Sequence, residues 1–301
     1  MNARKKSPYL LLVVLIILFS ITISSTIQPD KEKNKIIANE ETFATPESVE
    51  YYAAEDVYLV TNINGSPLAL DGNGFISKVN PNGDIIELKW IDGTTEGITL
   101  NGPKGMAIVG NNLFVADINR VHVFELPSGK QITSVIIEGS SFINGIDQAS
   151  DGDVVVTDSG FTDGFAASDT DAIYKVSANG KYKKILGDKD MGHPNGIVTD
   201  GDKLIVVTFG SGEIFSLDGA GNKVMLPKPP QGGLDGLLKL ADGRFIISSW
   251  GGSAIYALNQ DNTYTVLMDS VDAPADLGFD SKRNRVLIPL FRENKITFLQ
   301  L

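Results

Sequence analysis

Four side chains in this 301-residue sequence have types and spacing that suggest joint chemistry: Glu47, Asn144, Asn195 and Asp235. Alone, an Asn-Gly or Asp-Gly pair reads as an ordinary turn. These four, however, each stand third in a recurring opening. The clear copies are Gly102-Pro103-Lys104-Gly105-Met106, Phe142-Ile143-Asn144-Gly145-Ile146, His193-Pro194-Asn195-Gly196-Ile197, Gly233-Leu234-Asp235-Gly236-Leu237 and Ala273-Pro274-Ala275-Asp276-Leu277. A looser first copy is Thr45-Pro46-Glu47-Ser48-Val49. Gathered in one place, the third positions offer two carboxylates and two carboxamides, a hard-oxygen donor set. Calcium suits such a set, accepting six to eight oxygens in irregular geometry at about 2.3–2.6 Å. Zinc and magnesium are the alternatives, although the His and Cys favoured by softer metals are missing from these positions. Lys104 places a cation among the carboxylates, where it could pair with Glu47, weaken metal binding or polarise a substrate carbonyl.

The elements that must bring these residues together follow from what comes after each opening. Short runs rich in Val, Ile, Phe and Tyr alternate with Gly, Asp and Asn turns, the punctuation of strands and hairpins. Second strands are expected at Val57–Thr61, Leu113–Ala116, Val154–Thr157, Leu204–Thr208, Phe245–Ser248 and Val286–Ile288. A third strand carries pairs such as Ile173-Tyr174, and a more polar fourth strand closes each unit. Four antiparallel strands repeated radially six times make an all-β, six-bladed β-propeller. The sixth repeat ends at Leu301 with three strands, so an N-terminal strand, expected at Glu41–Ala44, completes the last blade and removes an open edge. The innermost strand of each blade lines the central channel, so the third positions form a ring around one axis.

Second strands run antiparallel to the first and end at the same face. Asp117, Asp158 and Trp250 are therefore expected at the rim of the channel mouth, with His193 beside Asn195. The loop Ser159–Asp171 is long enough to contribute to a substrate rim. His122 reads as a blade residue. No P-loop, dinucleotide fingerprint or G-x-S-x-G elbow occurs.

The remaining features concern the chain's setting. Arg4, Lys5 and Lys6 precede an apolar run, Tyr9 to Ile23, so residues 1–27 read as a hydrophobic helix, either a signal peptide or a signal-anchor. Residues 28–40 read as a polar tether and residues 41–301 as the propeller. The expected location is extracytoplasmic, with membrane contact only through the N-terminal segment. Net charge is −11, and −14 without the three N-terminal basic residues. That balance argues against nucleic-acid binding and favours cations. The absence of cysteine excludes disulfides and a thiol nucleophile. A monomer acting on a small molecule is the expected assembly.

The ring, with Asn144-Gly145 and Val156-Thr157-Asp158, resembles the senescence-marker/gluconolactonase family of regucalcin-like propellers across roughly residues 41–301. The resemblance implies one divalent cation held by Glu47, Asn144, Asn195 and Asp235. It further implies hydrolysis of lactones or related esters, with Asp235 as base; Lys104 would steady developing negative charge. The other reading is a non-catalytic propeller of NHL type that binds a ligand or protein and keeps the cation as a plug.

Overall fold

The computed structural model describes residues 36–37 and 43–301. The hydrophobic segment 1–27 and the tether, apart from Ile36 and Ile37, lie outside the described residues. Among the described residues no helix is long and apolar enough to cross a membrane.

The first five repeats each form a four-stranded antiparallel sheet whose strands follow chain order, and the three strands of the sixth are joined by an N-terminal strand, giving the six blades of a propeller. Blade 2 shows why. Its strands Pro103–Val109, Asn112–Asp117, Arg120–Glu125 and Lys130–Ile136 are apolar runs separated by tight turns. In the second strand, Leu113 and Val115 project into the seam with blade 1, whereas Phe114 and Ala116 project into the seam with blade 3. Side chains alternate faces along a strand, so one continuous apolar run serves two neighbours at once. The hydrophobic core is accordingly six clusters, each spanning two consecutive blades. Outermost strands carry the polar residues: in Tyr182–Gly187, Leu186 alone is not exposed.

The ring closes between blades 6 and 1 by several contacts. Ile36–Ile37 pairs antiparallel with the last strand, Lys295–Gln300, with Ile36 opposite Thr297 and Ile37 opposite Ile296. The closing strand therefore lies earlier than the expected Glu41–Ala44. The physical reason is that the chain just before blade 1 is already committed. Phe43 is buried in the seam between blades 6 and 1, and the Ala44 and Thr45 amides donate to Asn62 Oδ1 (3.0 Å) and Asn294 Oδ1 (2.7 Å). Across the same seam, Tyr58 donates to Asp280 (2.5 Å), and Arg283 bridges Asp56 (2.7 Å) and Asp280 (3.0 Å). The Asp276 amide donates to the Glu47 carbonyl at 2.9 Å, joining the two inner strands.

The closing strand supplies roughly two backbone hydrogen bonds, each contributing about 0.5–1.5 kcal/mol. A chain beginning at Phe43 is expected to melt about 3–8 °C below one beginning at Lys33, at the few degrees per kcal/mol usual for this size. Coincident melting curves by circular dichroism would show that the Ile36–Ile37 pairing stabilises nothing.

Candidate functional site

The inner strands Pro46–Tyr52, Pro103–Val109, Ile143–Gln148, Pro194–Asp200 and Leu234–Lys239 share one irregularity. In each, two residues stand opposite one on the second strand, and the first of the two is the ring residue: Glu47, Lys104, Asn144, Asn195 or Asp235. A β-bulge of this kind re-aims a side chain out of the regular pleat. After all of these but Glu47, which Ser48 follows, a glycine allows the next blade to approach. A Cβ on Gly145 would lie 2.2 Å from the Asn195 carbonyl oxygen, and one on Gly196 2.4 Å from that of Asp235. Second-strand hydroxyls clamp the arrangement. Thr157 accepts from the Gly145 amide (3.0 Å) and donates to the Asn195 carbonyl (2.7 Å). Ser248 likewise accepts from Gly236 (2.7 Å) and donates to Ala275 (2.9 Å). The Asn-Gly and Asp-Gly pairs thus serve inter-blade packing rather than hairpin turns.

The five bulged residues line one cavity of about 300 Å³. Ala275 is buried but does not line it, and the sixth inner strand is only Gly278–Asp280. Glu47 Oε2 and Asp235 Oδ1 are buried without a hydrogen-bond partner. Asn144 donates its Nδ2 to Ser159 Oγ (3.2 Å), which donates onward to the Pro194 carbonyl (2.6 Å), leaving the carboxamide oxygen free of that anchor. Burial, reinforced by Asp235 and Asp276, holds the Glu47 carboxyl well above the usual range, although Lys104 opposes this. Burial and Asp276 push Asp235 up to about 8, with Trp250 and Asn195 opposing. Lys104 donates to the carbonyls of Gly102 (2.8 Å) and Pro67 (3.1 Å) rather than to Glu47, and lies 4.4 Å above the Phe142 ring. Burial brings its pKa down to about 8, against the pull of Asp117 and Glu47.

An acidic set continues along the channel beyond the ring. Asp276 accepts from Ser48 Oγ at 2.7 Å, and burial pushes it up to about 7. Glu50, half-buried with Asp147 and Asp276 around a second, smaller hollow, is pushed up to about 8 by burial and then by these two carboxylates.

Three residues expected at the rim sit behind the cavity wall. Asp117 accepts from the amides of Asn101 (2.8 Å) and Gly102 (2.9 Å) and meets His122 Nε2 at 3.0 Å. Asp158 accepts from the amides of Phe142 (2.9 Å) and Gly160 (3.0 Å). Both latch the segment that leads into an inner strand, and neither lines the cavity. His193 places Nδ1 2.8 Å from the Ser159 carbonyl and stacks on Phe161 at 4.2 Å, so it backs the wall instead of facing a ligand. Trp250 does line the cavity.

Most of the wall was not anticipated from the sequence, yet it obeys the repeat. The residue just after the second strand is Ile63 in blade 1, Phe209 in blade 4, Trp250 in blade 5 and Phe291 in blade 6, and all four line the cavity. Each is fixed by its own amide, which donates to the residue two before the ring position: Ile63 to Thr45 (3.1 Å), Phe209 to His193 (2.8 Å), Trp250 to Gly233 (2.8 Å) and Phe291 to Ala273 (3.1 Å). Those four acceptors all have positive φ, between 45° and 63°. For Thr45, His193 and Ala273 this is a strained conformation held by the surrounding structure. Blade 3 departs from the pattern: there Phe142 and the excursion Phe161–Ala167 supply the wall.

No protein-family model matches the chain, and no curated protein matches it in sequence. Solved structures do resemble its fold. A gluconolactonase from Xanthomonas campestris is 18% identical, with 86% of this chain and 87% of that one covered and a TM-score of 0.67. Virginiamycin B lyase from Staphylococcus aureus with quinupristin is 15% identical over 89% and 99% of the two chains, with a TM-score of 0.61. The nidogen/laminin complex contains a chain 16% identical over 75% and 80%, with a TM-score of 0.59. The chain therefore has a gluconolactonase-like propeller fold.

The raised carboxyls set a sign for pH dependence. Between about pH 4, where such groups titrate in an unfolded chain, and the folded values of about 7 for Asp276 and 8 for Glu50, the folded state holds protons that the unfolded chain has released. Their contribution to stability is therefore lost as pH rises through that window. In chelator, the melting temperature should fall from pH 5 to pH 9, and Glu50→Gln should shallow the fall. A profile indifferent to Glu50→Gln would contradict the assignment.

Proposed function

We propose that the chain is a divalent-cation-dependent hydrolase of lactones or related esters. The observation that carries this reading is the pair of buried, unpartnered oxygens, Glu47 Oε2 and Asp235 Oδ1, facing one cavity together with two carboxamides. Buried carboxylate oxygens without partners are costly and rare, and a bound cation is one of the few ways to satisfy them. Glu47, Asn144, Asn195 and Asp235 would hold it. This all-oxygen set fits calcium better than zinc. Among the described residues no cluster of three or more His, Cys, Asp and Glu offers another centre. The resemblance of fold to a gluconolactonase supports chemistry at a lactone.

When bound, the cation supplies charge stabilisation at a polarised carbonyl oxygen. The chain's own groups do the rest. Asp235 accepts a proton from the attacking water as it bonds to the ester carbon. The bond to the leaving oxygen then breaks, and that oxygen takes the proton back, giving a hydroxy acid. Lys104, fixed by two backbone carbonyls, offsets negative charge that develops on the former carbonyl oxygen. Neither histidine lines the cavity, so the acid–base work falls to the ring.

Wild-type protein is expected to retain about one divalent ion per chain by elemental analysis and to lose lactone turnover in chelator. Asp235→Ala should abolish both metal retention and turnover. Lys104→Met should keep the metal and lower kcat by about 10²–10³, the scale of losing one stabilising donor. Absence of metal in wild type, or metal indifferent to Asp235→Ala, would overturn the reading. The fold resemblance to a chain of the nidogen/laminin complex supports a second reading, a binding propeller with a structural cation. Retained metal without turnover across lactones and esters would favour it.

A further inference from the structure

The cavity is polar only at its floor and at one point of its mouth. Beyond the five ring residues, the one charged side chain among the described residues lining it is Arg292. Its guanidinium is largely exposed, lying 5.0 Å from the Trp250 ring centroid and pairing with Asp272 at 3.0 Å. Between floor and mouth the lining is hydrocarbon except for the buried Trp250 indole N–H. Phe161, Phe209, Trp250 and Phe291 form one run of rings, with successive centroids 6.4, 5.4 and 5.1 Å apart. Their contacts are tilted and edge-on, the geometry that a further ring can join, with His193 covering one face of Phe161 and Arg292 one face of Trp250.

We propose that these residues select the body of the ligand, and that it is an aryl-bearing lactone or ester rather than a polyhydroxylated sugar lactone. The proposal rests on the reading of the ring as the reacting end, which places the carbonyl at the floor and the remainder of the molecule against the aromatic wall. Hydroxyl groups carried into that wall would leave water and meet no hydroxyl, carboxamide or carboxylate in return. An aryl group would instead exchange water for ring contacts. The volume, at the small end of the range for small-molecule pockets, limits the occupant to about one or two fused rings.

Two unreactive lactams separate binding from chemistry. Full-length protein with calcium is titrated calorimetrically with hydrocarbostyril, the lactam counterpart of dihydrocoumarin, and with gluconolactam. Hydrocarbostyril is expected to bind at least tenfold more tightly. Phe209→Ala should weaken it about tenfold, from the loss of a buried aromatic contact, and Phe209→Leu, which keeps most of the volume, should restore part of the loss. Equal or tighter binding of gluconolactam, no binding of either lactam, or hydrocarbostyril affinity unchanged in Phe209→Ala would overturn the proposal. Turnover of dihydrocoumarin and glucono-lactone is measured in parallel. The binding preference without turnover of either lactone would uphold the wall's selectivity and count against the hydrolase. Faster turnover of glucono-lactone than of dihydrocoumarin would leave the hydrolase standing and sink the selectivity.

Discussion

The close approach of one inner strand to the next governs this molecule. At Gly145 and Gly196 the next blade's carbonyl occupies the space a side chain would need, 2.2 and 2.4 Å from the position of a Cβ. Thr157 clamps the contact at Gly145 and Ser248 the equivalent one at Gly236, each accepting from its own inner strand and donating to the neighbour's carbonyl. Because the strands meet so tightly, the chain cannot keep a regular pleat there, and the extra residue of each bulge must turn aside. The turned residue is the ring residue. Packing of the scaffold and convergence of Lys104, Asn144, Asn195 and Asp235 on one axis are thus consequences of a single constraint.

Convergence has an electrostatic cost. Glu47 and Asp235 share a buried space with Lys104, and Asp276 lies close enough to raise both carboxyls. Nothing in the blades neutralises this set fully, since Lys104 spends its hydrogen bonds on backbone carbonyls. The six apolar seams between blades are what make so unfavourable an interior tolerable, because each buried large side chain contributes about 1.5–3 kcal/mol. Stability resides in the seams, and the axis is free to be chemically strained.

The latches connect the two regions. Asp117 and Asp158 accept backbone amides just ahead of their inner strands, so charged side chains at the ends of second strands hold the entry into the ring without touching its contents. The amides of Phe209, Trp250 and Phe291 do a related job one residue later, each bonded to a carbonyl in a left-handed turn. A wall residue and a ring residue of one blade are therefore held by the same short loop, and the shape of the cavity follows the backbone rather than side-chain adjustment.

Much of this was legible in the sequence. Strand alternation, turn residues and the recurring opening are local signals, and they sufficed for six blades and for the ring at Glu47, Lys104, Asn144, Asn195 and Asp235, because a repeat places equivalent residues equivalently. In blades 4 to 6 the aromatic wall obeyed the same rule one residue past the second strand, but an aromatic there reads equally well as packing between blades, and the sequence offers nothing to tell the two apart. The direction of Asp117, Asp158 and His193 depended on which backbone amides and carbonyls lay within reach, which is a matter of loop geometry. The closing strand was decided by competition for one edge: Phe43 was drawn into the seam, which left the pairing to Ile36–Ile37. Periodicity and residue chemistry determined what the chain would build and which residues would meet. Distances of a few ångströms between segments remote in sequence determined which of them face the cavity and which hold it up.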